Sequence, residues 1–556
     1  MYGAHVNGYC CKRAMTAEEA FGILQEAAAS ISILPRRGLP RLGTGCASHH
    51  KRIIDIRLAE IVTFFLLLLY PSCVIFIRYV LATSGKDRKQ VEKEKKIEKV
   101  LAGVDMTRGN PYVLLLKFSS LMLIGNVFQQ FYNMVDSIVV GNFVGEKALA
   151  AVGTGFPIMF MLVSLFLGIG IGATILISQF YGAKDNASVA QTVDTMYTAS
   201  MVVSIPLTVI GVLVSRPLLT LINVPDDGTL DMAVQYLVII FIGMLPQFGF
   251  NVNLGILQGL GDSKTSLLFL IVANIANIGL DLLFTLVFHW GVIGVAVATV
   301  MAQFIAWIYG IIYINRHYTL FRIRPFGFSF RKDLFCRALK LGLPSSVQNM
   351  LFSIGAIVFQ RLVNGYGSDF IAGFNGANKI DTFAFMPLQS FANASTTFTG
   401  QNVGAKDVGR IKRGVTAALV ISCAACVIIC ALIYPLSDFF MKLFNDKPAV
   451  VESGVLYLRS VLPFYPLLAL LFIYSGALRG TGETMVPMIA SCIALWFARV
   501  PSAYLIADRF GRNFIYFSYP IGWVIGSAVV AAAYYSGRWE RKVFKFQPAH
   551  APATEG

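Results

Sequence analysis

Apolar residues run through this chain in long unbroken blocks separated by short polar gaps. A helix needs ~20 apolar residues to cross a bilayer. From residue 112 onward twelve blocks meet that length, at 113–140, 149–178, 192–214, 232–257, 265–289, 292–314, 338–364, 370–399, 414–435, 453–477, 485–506 and 514–536. Gly and Pro recur inside them, as at Pro157, Pro206, Pro246, Pro344, Pro387, Pro466 and Pro487. Membrane helices tolerate such residues, because neighbouring helices re-satisfy the freed backbone groups. The pattern predicts an all-α membrane protein with twelve transmembrane helices.

The polar gaps give the chain an orientation. Loops kept in the cytoplasm are enriched in Lys and Arg. The even-numbered gaps and the C-terminal tail, with Lys340 at the margin of the seventh block, hold 18 basic residues, among them Lys184, Lys264, Arg331, Lys332, Lys406, Arg410 and Lys542, against 6 in the odd gaps. The even gaps and both ends of the twelve-helix unit are therefore expected in the cytoplasm of a multi-pass plasma-membrane protein.

The chain also repeats. "SQFYGAKD" at 178–185 returns as "GQNVGAKD" at 400–407, and "LQGLGDS" at 257–263 returns as "LRGTGET" at 478–484. Gly145 and Ala150 match Gly367 and Ala372, again 222 residues on. Similar segments at one offset, each in the equivalent gap, imply two six-helix repeats. An even helix count returns each repeat to its starting side. The repeats then share one orientation, related by a parallel pseudo-two-fold axis along the membrane normal, around a central cavity that rocking opens to either side. The expected divisions are an atypical extension at 1–105, a first lobe at 106–315, a cytoplasmic linker at 316–337, a second lobe at 338–540 and a cytoplasmic tail at 541–556.

Composition narrows the function classes. The chain has 556 residues, of which 56% are hydrophobic and only 14% charged. Soluble domains carry about 25% charge, so disordered chains, disulfide scaffolds and most soluble enzymes are excluded. The net charge of +16 is accounted for by the basic loops, and nucleic acid is not an expected partner. Cys423, Cys426 and Cys430 share a helix face but have no polar companions for a metal, and are read as small packing residues. "GLGDSKT" at 259–265 faintly resembles a phosphate-binding loop, yet lacks the Gly before Lys that such a loop needs. Its repeat copy "GTGETMV" has no Lys. Both read as tight turns, with Asp262 and Glu483 capping the following helices.

The first 105 residues fit this plan poorly. Their apolar run, Ile61–Ile77, is broken by Pro71 and would leave a basic segment outside if it spanned. Met106 opens a compact start, "MTRGNPYVLLLKF", immediately before the first good block. Residues 1–105 are accordingly expected to be upstream translation before a functional start at Met106, with a real anchor or a signal-like segment as the alternative.

Chemistry inside the lipid is sparse. There is no HExxH, GxSxG or paired catalytic set in the twelve-helix unit, so no enzyme is expected. Carboxylates stand out. Asp136 lies deep in the first block and Asp281 in the middle of the fifth. A charge at the bilayer centre costs about 2.5–3.5 kcal/mol on insertion scales. Such a group faces a cavity, finds a partner or takes up a proton, since loss of water favours a carboxyl's neutral form. Asn277, four residues before Asp281, shares its helix face. Tyr236, Asn251 and Thr299 offer further polar groups on neighbouring blocks. These residues are expected either to bond helices together or to couple an ion as well. In the second half Gln348, Asn349, Asn375 and Asn378 are candidates for lining the cavity, and Lys379 and Asp381 could pair locally. Asp194, near the cytoplasmic end of its block, can reach water. The 17 Met and 43 Phe suit an adaptable cavity wall.

Residues 106–540 resemble the MATE family, the multidrug and toxic compound extrusion transporters. The resemblance rests on "GNVFQQFYNMVDSIVVGNFVG" in the first block, "GAKD" after the second and eighth, "LQGLGDSK" and "LRGTGET" after the fourth and tenth, and "NIGLD" in the fifth. The "NMVDSIVVG" form is most similar to a bacterial branch with its ion site in the N-terminal half. That resemblance implies a protonation network of Asp136, Asn277 and Asp281, extended to Tyr236, Asn251 and Thr299. It implies a monomer that exports small amphipathic, cationic organic compounds in exchange for protons, with sodium as the alternative ion and no cofactor. Two departures stand against it. Another branch has a Glu in the seventh span and an Asp in the tenth, where "PSSVQNMLFSIGAIVF" and "LPFYPLLALLFIYSGA" have no acid. Many relatives also carry a Pro in the first span, whereas here Pro111 only precedes it. The alternatives are a flippase for lipid-linked precursors, which would need a cationic groove, and an ion channel or non-transporting scaffold.

Overall fold

The computed structural model describes residues 103–547 apart from 223, 325–326 and 328. The expectations for the extension, including the Ile61–Ile77 run, lie outside the described residues except for Gly103–Asp105.

The twelve apolar blocks fall on twelve helical spans. In the first lobe these are α1 (Pro111–Val139), α2 (Glu146–Gly182), α3 (Asn186–Leu221), the two-part α4 (Thr229–Ile242 and Met244–Gly259), α5 (Ser263–Val287) and α6 (Gly291–His317). In the second they are α7 (Lys332–Asn364), α8 (Ser368–Gly404), α9 (Val408–Ile433), α10 (Pro448–Gly480), α11 (Met485–Phe510) and α12 (Arg512–Tyr535). A last helix, α13 (Arg538–Lys545), follows. Among the described residues nine of these spans are long and apolar enough to cross a membrane unbroken, and α4, bent by 54° at its break, makes a tenth. α2 and α8 complete the set at 37 residues each. The break in α4 falls at Gly243, three residues before Pro246, whose ring cannot accept the preceding helical turn.

The repeated motifs are turns. In both "GAKD" copies the Lys takes a left-handed backbone, φ 60° at Lys184 and 56° at Lys406. The following Asp then caps the next helix, Asp185 accepting from the Ser188 amide at 3.0 Å and Asp407 from the Arg410 amide at 2.8 Å. In the other pair of turns Gly261 and Gly482 have φ of 80° and 84°, a conformation that favours glycine. Asp262 caps α5 through the Thr265 amide at 3.0 Å, as expected. Glu483 does not cap α11. It reaches out to an ion pair with Lys542 at 2.5 Å, because the longer Glu side chain is poorly suited to folding back on its own helix start.

The lobes meet where the basic gaps lie. A side chain at Gly342 (α7) would strike the carbonyl of Gly168 (α2), one at Gly172 would strike Ala338, and one at Gly182 would strike Gln401 of α8. These bare backbones let α2 approach α7 and α8 closely over the half of the molecule nearest the basic face, as small residues do at helix contacts in lipid. Leu334 and Ala338 of α7 are consequently part of a hydrophobic core whose other members belong to the first lobe and to the linker residues Tyr318, Phe321 and Ile323. Two chain segments fasten the same face. Met106 is fully buried, and its amide donates to Gln401 Oε1 at 2.8 Å while its carbonyl accepts from Arg410 Nε at 3.1 Å and Nη2 at 3.0 Å. Gly103–Asp105 are built into this fastening, the Val104 amide donating to Leu260 at 3.0 Å and Asp105 pairing with Lys184 at 2.8 Å. At the other end of the chain Trp539 is buried, Glu540 pairs with Lys412 at 2.8 Å, and the Phe546 ring packs 5.8 Å from Phe180 of the first lobe.

Candidate functional site: two polar cavities of unlike charge

In the first lobe α1 packs on α5, and α5 on α6. Asp136 projects from α1, Asn277, Asp281 and Thr285 from successive turns of α5, Thr299 from α6 and Tyr236 from α4. Asp281 is 1% exposed, and neither of its carboxyl oxygens has a hydrogen-bond partner. Asp136 Oδ1, Asn277 Oδ1 and Thr285 Oγ1 are likewise buried and unbonded. The Asn277 amide donates to Thr299 Oγ1 at 3.4 Å, and Thr299 in turn donates to the Val295 carbonyl at 3.1 Å. Buried polar atoms are nearly always bonded. Acceptors orphaned together on two packed helices, α1 and α5, make a cluster that a proton or a small cation would satisfy. Immediately beyond Asp281 the helix widens into a π-helical turn, Leu283–Val287, a local feature frequent at functional sites.

The structure thus brings together five of the six residues named for this site, Asp136, Asp281, Asn277, Tyr236 and Thr299, in one electrostatic neighbourhood. Asn251 stands apart. Its amide bonds to the Gln247 carbonyl at 2.8 Å within its own helix, and it lines a small cavity with Gly170, Ser200 and Phe248. The reason is the bend in α4, which sets the Met244 half on a course different from the half carrying Tyr236. Tyr132 was missed. Its hydroxyl lies within reach of Thr299, Asp136, Asp281 and Tyr236. The signal was available, since Tyr132 is one turn before Asp136 and so shares its face.

The second lobe encloses a cavity of about 330 Å³. Gln348 and Asn349 line it, as expected, together with Phe352, Phe385, Phe472 and Trp523. Asn375 is exposed and does not line it, and Asn378 instead accepts from Tyr457 at 3.5 Å. Both lie one to two turns nearer the start of α8 than the cavity wall, which begins at Asp381. Asp381 accepts from the Tyr465 hydroxyl and faces the Arg499 charge. Lys379 is exposed and is not its partner. Arg499, in a π-helical stretch of α11, Ile493–Arg499, lies 3.4 Å from the Tyr519 ring centroid and 4.9 Å from that of Phe359. Arg479, at the end of α10, lines the same cavity. The arginines were not singled out from sequence, because each sits at the edge of an apolar block and reads as a loop charge.

Comparison with known proteins places this geometry. The MatE family model matches residues 122–283 and again 344–505, so the two matches begin 222 residues apart, the offset of the internal repeat. A curated relative, "Probable multidrug resistance protein YpnP" of Bacillus subtilis, is 31% identical over 438 residues, covering 78% of this chain and 97% of the relative. "Probable multidrug resistance protein NorM" of Thermotoga maritima is 26% identical, covering 75% and 90%. Among solved structures, a MOP superfamily transporter from Pyrococcus furiosus superposes with a TM-score of 0.74 at 24% identity, over 80% of this chain and 99% of that one. A structure titled as the outward-facing conformation of a multidrug resistance MATE family transporter gives a TM-score of 0.73.

Proposed function

From the premise that this chain belongs to the MatE family of membrane transporters, with two MatE repeats making one twelve-helix unit, we propose that it is a secondary antiporter. It exports amphipathic organic compounds, of the kind implied by the multidrug resistance names of its relatives, in exchange for protons entering the cell. The observation that carries this reading is the carboxyl pair of the first lobe, Asp136 and Asp281, buried on facing helices with orphaned oxygens.

With the basic face taken as the cytoplasmic one, its closure by α2, α7 and α8 corresponds to a stage of the cycle shut toward the cytoplasm. In that stage the carboxyl pair accepts a proton from outside. Protonation removes the negative charge that holds a cationic substrate, and the substrate leaves. Rocking of the lobes about the glycine contacts then opens the cytoplasmic side, where the proton is lost and the next substrate binds. Tyr132, Asn277, Tyr236 and Thr299 surround the carboxyl groups and offer hydroxyl and amide oxygens. Such oxygens also suit sodium, the alternative ion. A cavity of about 330 Å³ falls in the range of small-molecule sites and is small for a lipid-linked precursor, which disfavours the flippase reading.

The test uses the full chain in proteoliposomes loaded with a cationic dye. Efflux driven by an imposed pH gradient, with sodium absent, is expected. Efflux that follows only a sodium gradient would replace the proton by sodium at this site, and no gradient-driven efflux under either condition would overturn antiport.

A further inference from the structure

At the basic face of the second lobe lies a pocket of about 240 Å³ that shares no lining residue with the cavity described above. α10 packs against both α9 and α12. Its Tyr474 forms the buried floor of the pocket, and the first turns of α9 and the last turn of α12 form the sides. α13 closes the end. Trp539 is buried, its ring stacked 5.3 Å from that of Tyr534 and its Nε1 donating to the Tyr534 carbonyl at 2.8 Å. That packing sets Glu540 at the pocket, beside Lys412 of α9 at 2.8 Å.

The pocket opens on the outer surface of the lobe. Exposed residues run along α9 from Lys412 and Thr416 through Val420 to Val427, and along α12 from Tyr535 back to Val524 and Ile521. On spanning helices such apolar stripes lie against acyl chains. Both stripes turn polar at the pocket, within the last turns of their spans, which is the depth of lipid headgroups and of interfacial tyrosines.

The polar groups gathered there keep bonding capacity to spare. An ammonium has three donors and a carboxylate about four acceptor sites, yet Lys412 and Glu540 pair only with each other among the described residues. The Tyr474 and Tyr535 hydroxyls share one hydrogen bond at 3.0 Å, so one O–H of the two remains to donate. The Tyr534 hydroxyl has no hydrogen-bond partner among the described residues. Donors for a phosphate and an acceptor for an ammonium therefore stand side by side, with two apolar tracks leading from them into the bilayer. Pockets between spanning helices on the basic side are suited to headgroups, and the carboxylate here selects among them.

We propose that this pocket binds a phospholipid whose headgroup carries a primary ammonium beside its phosphate, as phosphatidylethanolamine does. The phosphate lies on Lys412 and the tyrosine hydroxyls, the ammonium on Glu540, and an acyl chain runs between the stripes of α9 and α12. A trimethylated headgroup has no N–H to give Glu540, and a headgroup without a cation places only negative charge beside it.

The experiment uses the full-length protein in detergent with equimolar phosphatidylethanolamine, phosphatidylcholine and phosphatidylglycerol of identical acyl chains. Native mass spectrometry reads the last lipid retained as detergent is stripped away. The wild type is expected to keep phosphatidylethanolamine over each of the others by about tenfold, the size of a charge-assisted contact. In Glu540→Gln the ratio to phosphatidylcholine should fall close to one. In Lys412→Gln retention of all three should drop. Should Glu540→Gln release α13, seen as a lowered melting temperature, Tyr535→Phe leaves the ion pair intact and should lower phosphatidylethanolamine retention about threefold. Equal retention of the three lipids by the wild type overturns the proposal. So does phosphatidylglycerol held as firmly as phosphatidylethanolamine, or a preference unchanged in a folded variant. No gradient or efflux enters this measurement, so the lipid site and the antiport reading stand or fall separately.

Discussion

At the residue scale the proposed antiport depends on two carboxyl groups, Asp136 and Asp281, inside the membrane-spanning helices. Asp136→Asn preserves size and most hydrogen bonds, so the fold should survive. The variant should lose pH-driven efflux by about a hundredfold or more, since no titrating proton remains at that position. Asp281→Asn should do the same or nearly so. Efflux in proteoliposomes at fixed protein density measures both, and wild-type rates in both variants would reduce the pair to a structural bond between helices. Tyr132→Phe removes one hydroxyl from the Thr299 contact. Hydrogen bonds between membrane helices contribute about 0.6–2 kcal/mol, so a threefold to roughly thirtyfold slowing is expected, with coupling retained. A Tyr132→Phe protein that leaks substrate without a gradient would give that residue a larger part than positioning.

Among the elements, α2 matters most because it is the one against which the second lobe closes. Gly342 and Gly182 meet backbone atoms of the opposing lobe, and Val at either position cannot be accommodated by a side-chain adjustment. Overpacking of this kind costs about 1–3 kcal/mol, here charged to the state closed at the basic face alone. Gly342→Val should therefore shift the population toward opening on that face. Ser346 is fully buried beside Gly168. In a background without native cysteines, Ser346→Cys should resist an aqueous thiol reagent, and adding Gly342→Val should expose it. Continued protection in the double variant would mean that this crossing is not where the lobes part.

For the whole molecule the predictions concern sidedness and the chain's first ordered segment. A single cysteine near Lys332 should label only from the cytoplasm and one near Asp227 only from outside, and reversed labelling would invert the direction of transport. A chain beginning at Met106 should insert and export, because Met106 itself provides the contacts to Gln401 and Arg410. It loses the Val104 bond and the Asp105–Lys184 pair, which together stabilise by about 1–2 kcal/mol. Burial alone would raise the Asp105 carboxyl, but hydrogen bonds from Lys184 and Thr107 hold it below its ordinary value. A lowered acid stabilises the fold above its ordinary titration range and loses that contribution as pH falls through the lowered value. Part of the melting difference between a chain beginning at Gly103 and one beginning at Met106 should therefore vanish in acid. A difference that grows in acid would place the stabilisation elsewhere.

The sequence by itself determined the spans, their number and their pairing into repeats. Lipid forces every crossing segment to be a long apolar helix, and a duplicated motif leaves its offset in plain letters. It also placed Asp136, Asn277, Asp281 and Thr299, because a polar residue in the middle of an apolar block has few innocent explanations. Asn251, Asn375 and Asn378 looked equivalent in the string, and only the bend of α4 and the start of the cavity along α8 separated them from the sites. The charge of the second-lobe cavity was decided by tertiary structure alone. Arg479 and Arg499 stand twenty residues apart at the margins of two blocks, where a cation ordinarily reaches water. What turned them inward was the packing of α10, α11 and α12, with Tyr519 laid under one guanidinium, and no local pattern encodes which neighbour a side chain at a helix margin will meet.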